Sequence, residues 1–283
     1  MALLNKVAES LAFRASNFAG AVWPDDFIVA HFNHGIRADS DEDEKLVAGL
    51  AAKYKVDFVS GKGNLSKETS EAEARTARYR FLNGISSGAQ IVTAHHQDDL
   101  IETIAINLIR GTGWRGLAPM SGDVLRPLLD QTKAEITSYA INHGLDWHED
   151  STNFSSKYLR NRVRDMLVKM SSEARRQILR LYERQSNLRF EINQEIESEI
   201  KNNVEIIDAK TTKVPRYYLI MLPENVALEI INQLTCGGLT YPQLESVLLF
   251  TKTASPNKKM QFKQIAVRVE KREIILQRVS NRR

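Results

Sequence analysis

The chain has 283 residues, 42% of them hydrophobic and 26% charged, with a formal charge of +4, a profile of a globular protein long enough for two domains. No apolar run approaches the roughly 20 residues needed to cross a bilayer, and residues 1–18 show no basic start, continuous apolar core or small-residue cleavage site of a secretory leader. The single cysteine, Cys236, excludes an intrachain disulfide and any C-x-x-C zinc or redox motif, so the expected setting is the reducing cytoplasm, away from membranes.

In chain order, "ALLNKVAESLAFRASNF" (2–18) has helical periodicity, "DFIVAHFNH" (26–34) is a short β-rich run, and "DEDEKLVAGLAAKYK" (41–55) is helical again. "VDFVSGKG" (56–63) reads as strand, "SEAEARTARYRFLNGISS" (70–87) as helix, "QIVTAHH" (90–96) as strand and "DDLIETIAINLIRG" (98–111) as helix. Strand followed by helix, repeated, predicts an α/β unit whose parallel sheet is covered by helices on both faces. Ligands in such sheets bind outside the carboxyl ends of the strands, where "VAHFNHGIR" and "VTAHHQDD" both place polar residues.

Further on, "TKAEITSYAINHGLDW" (132–147) predicts a helix stopped by Gly144, and "HEDSTNFSSKYLRNRVR" (148–164) a polar loop running into a basic helix. Residues 172–203 read as one or two long charged helices. The remainder mixes helical stretches (224–234 and 240–252) with alternating β patterns over 263–279, which predicts a small α+β domain. Charge is split between the halves. Residues 1–150 hold 15 basic against 21 acidic side chains, residues 151–283 hold 24 against 14. A basic second half fits a polyanion-binding surface, and equally an ordinary solvated one.

Residues 93–103, TAHHQDDLIET, gather two histidines and three carboxylates at a strand-to-helix junction. Asp98 and Glu102 are four apart and Asp99 and Glu102 three apart, so a helix starting near Gln97 puts them on neighbouring faces. Like charges so placed call for a cation, whether a metal, an arginine or a substrate ammonium. The alternative is an acid-rich first helical turn that answers the helix dipole. The spacing lacks the H-E-x-x-H face of a zinc site, so no metal ligand set is assigned. His31, His34 and Arg37 close the first strand at a level suited to phosphate. Arg75 and Arg78 lie three apart among aromatic residues, and Arg160 and Arg164 four apart on one helix face.

Taken in order, "HFNHGIR", "EAEARTARYRFL", "TAHHQDDLIETIAINLIRGTGWRGLAPM", "RPLL" and "WHEDSTNFSSKYLRNRVR" resemble the tRNA(Ile)-lysidine synthetases of the ATP-pyrophosphatase, or PP-loop, superfamily. The resemblance covers roughly residues 1–170. It implies a ligase that uses ATP, with Mg2+, to adenylate the wobble cytidine of an isoleucine tRNA with a CAU anticodon. Free L-lysine then displaces AMP and leaves lysidine. Carried over, Asp99 and Glu102 hold the lysine amino groups, and His95 and Arg75 face the ATP phosphates and the activated cytidine. Arg160, Asn161 and Arg164 complete the site, with His31, His34 and Arg37 as further phosphate contacts. A non-catalytic tRNA-binding protein and another tRNA-modifying enzyme of the superfamily are the rival readings.

The same resemblance implies a phosphate-binding S-G-G-x-D-S loop directly ahead of the helix that begins here at Met1. The expectation is that Met1 is an internal methionine with the loop upstream; the alternative is a truncated chain without catalysis. The expected organisation is a nucleotide and lysine domain over 1–170, a helical linker over 171–203 and a small α+β tRNA-binding domain over 204–283. The oligomeric state is left open, a homodimer included.

Overall fold

A computed structural model describes residues 27–35, 40–63, 65–66, 69–145, 147 and 159–279, with the side chains of Glu71 and Asn161 excepted. The helix expected over 2–18, Arg37 and the loop 148–158 lie outside the described residues. Packing divides the chain into two compact units, Met1–Ser186 and Asn187–Arg283.

The first unit opens with strand β1 (Ile28–Asn33), helix α1 (Ser40–Tyr54) and strand β2 (Asp57–Lys62). β1 and β2 pair in parallel, Ile28 opposite Asp57 through Asn33 opposite Lys62, so α1 is the crossover of a βαβ unit. Helix α2 (Glu71–Ser86) starts at a capping box of Ser70 and Glu73 and ends at Ser87 in left-handed conformation, φ 47°. The expected strand over 90–96 is extended but not a continuous ladder. It meets residues 125–128 at two parallel bridges, Val92 with Leu125 and His96 with Leu128. Five residues, 92–96, on one side face four, 125–128, on the other, and Pro127 between the bridges has no N–H to donate.

Helix α3 (Gln97–Ile109) follows, then a 3-10 turn (Trp114–Leu117) and helix α4 (Lys133–Asn142). Leu100, Ile101 and Ile104 on α3 are essentially out of solvent, the first two lying four and three residues before the third on one helix face. Gly144 ends α4 as expected. Its φ is 57°, its N–H reaches the Ile141 carbonyl and that of Leu145 reaches Ala140, the hydrogen-bond pair of a Schellman motif. Helix α5 (Leu159–Val168) lays Val163 and Leu167 on Ile101 and Ile106 of α3, with Ile178 and Leu179 from the start of helix α6 (Ser172–Asn203) packed alongside.

α6 is one helix of 32 residues, and the division between the two units falls inside it. In the second unit, Ile196 and Ile200 of α6 enter the core instead of crossing solvent. That unit is a five-stranded antiparallel sheet with order β3-β4-β7-β6-β5: β3 (Glu205–Ile206), β4 (Thr211–Pro215), β5 (Lys258–Gln261), β6 (Ile265–Val269) and β7 (Glu273–Arg278). Helices α7 (Arg216–Met221), α8 (Glu224–Leu234) and α9 (Tyr241–Thr253) accompany it. Alternation fixes the faces. Ile265, Val267 and Val269 of β6 point inward while Arg268 stays in water. Among the described residues no helix is long and apolar enough to cross a membrane.

Candidate active site

The junction of segment 91–96 with α3 places all five ionisable side chains of TAHHQDDLIET, and each meets a different partner. His96 is the N-cap of α3. Its Nδ1 accepts from the Asp99 amide at 3.4 Å, and the Asp99 carboxylate accepts from the His96 amide at 3.0 Å. In this pair the Asp99 carboxylate of the acid-rich first turn is one half of a capping box.

Asp98 points the other way. One oxygen accepts from Arg175 Nη1 at 2.6 Å and the other from the Lys133 amide, at the start of α4, at 2.7 Å. Burial acts to raise its pKa, but the Lys133 amide and the Arg175 guanidinium outweigh it and hold the carboxyl below its ordinary value. Arg175 also donates to the Leu167 carbonyl at 3.2 Å, so this one side chain ties α6 to α3 and to the end of α5.

Glu102 is buried, with a side chain 3% exposed, and its two oxygens are both engaged by α5. Arg164 Nε donates to Oε2 at 2.9 Å and Arg160 Nε to Oε1. Burial pushes the Glu102 carboxyl upward, with Asp99 and Asp98 adding to that push, while Arg164 opposes it. Arg160 is pulled down by burial and by its neighbour Arg164. A carboxylate this deep is tolerated because two guanidinium groups meet it. A substrate ammonium reaches Glu102 only by taking the place of one of them. Asn161 lies on the same helix, its side chain outside the described residues.

His95 sits one residue before the cap, with Nδ1 2.8 Å from the Thr93 hydroxyl. Burial lowers its pKa to about 4; Asp99 opposes, and Arg126, Arg78 and Arg75 lower it further. The imidazole is therefore neutral near pH 7, an acceptor or donor of one hydrogen bond and not a cation. The positive charge around it belongs to the arginines. Arg75 and Arg78 of α2 flank the Tyr79 ring at 4.9 and 5.7 Å, and burial, with Arg75 adding, lowers the Arg78 pKa. Arg126 is held by the carbonyls of Met120 at 2.5 Å and Val124 at 2.9 Å, and its Nε has no hydrogen-bond partner among the described residues. Three guanidinium groups about a neutral histidine suit an anion such as a phosphate.

The end of β1 is different in sign. Asn33, 1% exposed, donates to Asp41 at 2.7 Å and Glu44 at 3.0 Å, and Lys62 pairs with Asp41 at 2.9 Å. Burial lowers the His31 pKa against the pull of Glu44 and Asp43. His34 stands edge-on to Phe32 with ring centres 4.9 Å apart. His31 thus shares its strand end with α1 carboxylates.

Among the described residues no three or more His, Cys, Asp or Glu side chains are placed to hold a metal, so they supply no cage for Mg2+. Sequence reasoning did not assign roles to Arg126, Arg175 or Asn33. "RPLL" marks Arg126 only as part of an ordered set, and Arg175 lies in a helix where charged residues are the rule.

Comparison with known proteins bears on the family and the fold. The chain is 34% identical over 154 residues to a tRNA(Ile)-lysidine synthase of Persephonella marina, covering 50% of this chain and 34% of that one. It is 40% identical over 159 residues to the tRNA(Ile)-lysidine synthase of Geobacter sulfurreducens, with the same shares. The chain thus matches about a third of the length of these relatives. Among solved structures, the U34-tRNA thiolase NcsA from Methanococcus maripaludis, with its [4Fe-4S] cluster, superposes with a TM-score of 0.51 at 18% identity, covering 65% of this chain and 69% of that one, a likeness of fold. A description of the PP-loop domain matches residues 2–171, more than half of the 283 residues, and the chain therefore belongs to the PP-loop domain family.

Proposed function

We propose that this chain carries the lysine-ligating centre of a tRNA(Ile)-lysidine synthetase, which joins L-lysine to the wobble cytidine of a CAU anticodon at the expense of ATP. The observation that carries this reading is the meeting of a buried acid, Glu102, with two arginines of α5, on the helix that follows a neutral His95 whose charge state is set in part by Arg75, Arg78 and Arg126. The names of the relatives support the same reading.

ATP, when bound, supplies the adenylyl group that activates the cytidine, with pyrophosphate as the leaving group. Arg75 and Arg126 offer charge to its phosphates as negative charge builds there, with Arg78 behind them. His95, uncharged, orients a polar group of the nucleotide through its ring. Asp99, at the first turn of α3, and Glu102, one turn on, receive the ammonium of lysine. At Glu102 the ammonium exchanges with Arg160, whose guanidinium then turns to the phosphates alongside Arg164 and Asn161. The attacking lysine nitrogen must shed a proton before it bonds to carbon, and the Asp99 carboxylate stands ready to take it. AMP leaves as the carbon–nitrogen bond forms.

The test is ATP-dependent incorporation of radiolabelled lysine into a tRNA(Ile) transcript, using the full-length protein. Label should enter the CAU transcript and not the same transcript with uridine at the wobble position. Tight binding of the tRNA with no lysine incorporated would support the non-catalytic alternative.

A further inference from the structure

α2 carries more positive charge than the reaction centre uses. From Ala74 to Ser86 the helix has Arg75, Arg78 and Arg80 and no acidic residue, and its first-turn Glu73 is occupied in the capping box with Ser70. Arg75, Thr76, Tyr79, Arg80 and Asn83 line one open cleft of about 520 Å³. Among the described residues Arg80 makes no ion pair and the Asn83 side chain no hydrogen bond. The Tyr79 hydroxyl is shielded from solvent with no hydrogen-bond partner among the described residues, an unmet polar group of a kind folded proteins rarely keep. Two guanidinium groups, those of Arg75 and Arg78, lie 4.9 and 5.7 Å from its ring centre, and both also act on His95.

We propose that this face of α2 docks a single-stranded segment of RNA, continuing from the nucleotide held at His95. The inference rests on the tRNA-modifying function proposed above and extends it to a surface outside the reaction centre. Cations interleaved with an aromatic ring suit a nucleic-acid strand better than an acidic peptide. Arginines take the phosphates, and the ring offers a face or edge to a base. The Asn83 side chain supplies hydrogen bonds that can reach base or ribose.

The full-length protein and its Arg80→Glu, Asn83→Ala and Tyr79→Phe variants are titrated with an unmodified tRNA(Ile) transcript across a salt series. Arg80→Glu should weaken binding roughly tenfold. It should also reduce the slope of log affinity against log salt by about 0.7, one phosphate contact on a single strand. Asn83→Ala should weaken RNA binding at an unchanged melting temperature. Tyr79→Phe, which keeps the ring and removes only a shielded hydroxyl, should hold RNA affinity while its melting temperature holds or rises. Loss of melting temperature together with affinity in Asn83→Ala would mark that side chain as structural. Unchanged affinity and slope in Arg80→Glu, with wild-type protein still transferring lysine, overturns the docking surface and leaves the proposed function standing. Absence of tRNA binding by wild-type protein overturns both. Loss of a co-purifying acidic protein from Arg80→Glu, with RNA affinity intact, overturns the RNA assignment in favour of a protein partner.

Discussion

Arg164 donates through Nε to Oε2 of Glu102 at 2.9 Å, across 62 positions of sequence, and Arg160 takes the other oxygen. The contact joins α5 to α3 above an apolar floor of Ile101, Ile106, Val163 and Leu167. It is a buried charge arrangement that holds together because every partner is present. It also sets the two arginines of α5 beside the acids at the start of α3, which is what a site for both an ammonium and a phosphate requires.

Removing one member should therefore cost more than a surface ion pair does. Arg160→Ala is expected to destabilise the protein by about 3 kcal/mol, the low end for a broken buried pair, because Arg164 remains. Arg164, whose side chain is 40% exposed, should cost less when replaced by alanine. Urea unfolding of the two variants checks the order. Equal and small losses would mean that solvent already screens the pair.

Asp99→Ala should abolish lysine transfer while leaving tRNA affinity nearly intact. It also removes half of a capping box, a loss of about 1 kcal/mol in stability. The readouts are labelled-lysine incorporation, tRNA binding and melting temperature. Joint loss of transfer and tRNA binding would mark the residue as structural.

Arg175→Ala cuts the tie from α6 to Asp98 and to the Leu167 carbonyl. Both side chains of the pair are partly exposed, so the expected stability loss is only about 1 kcal/mol. The displacement of α5 should lower kcat by about tenfold or more, since small misplacements of a catalytic group are costly. A kcat per folded molecule equal to wild type would contradict this.

His95 should not titrate in the neutral range. Its folded pKa of about 4 lies below the ordinary 6.5, so the unfolded chain binds the proton more readily. The linked stability is fully present above about pH 6.5 and is lost as pH falls toward 4. Ring resonances of His95 followed by NMR should show a midpoint near 4. A midpoint near 6.5 would mean that the imidazole is open to water.

Much of the fold was legible because it is local. Apolar spacing on α3, the glycine stop at Gly144 and the alternation in β6 are written within a dozen residues of each feature. The division of labour inside TAHHQDDLIET was not. His95 and His96 are neighbours of identical type, and only the chain that surrounds them makes one a helix cap and the other a neutral ring among arginines. The arginine partners of Asp98 and Glu102 lie 58 to 77 residues downstream, beyond any periodic signal. The broken ladder at 91–96 depends on Pro127 in a segment read only as "RPLL". The acid contacts of Asn33 likewise depend on α1, whose residues read only as a helix.

The account stands most directly on where the lysine ammonium binds, and steady-state kinetics of lysine transfer in Glu102→Gln measures it. The account predicts that KM for lysine rises by roughly 100-fold, about 2.7 kcal/mol for a lost charged contact, while KM for ATP stays close to wild type. An unchanged KM for lysine in that variant, with activity retained, would contradict it.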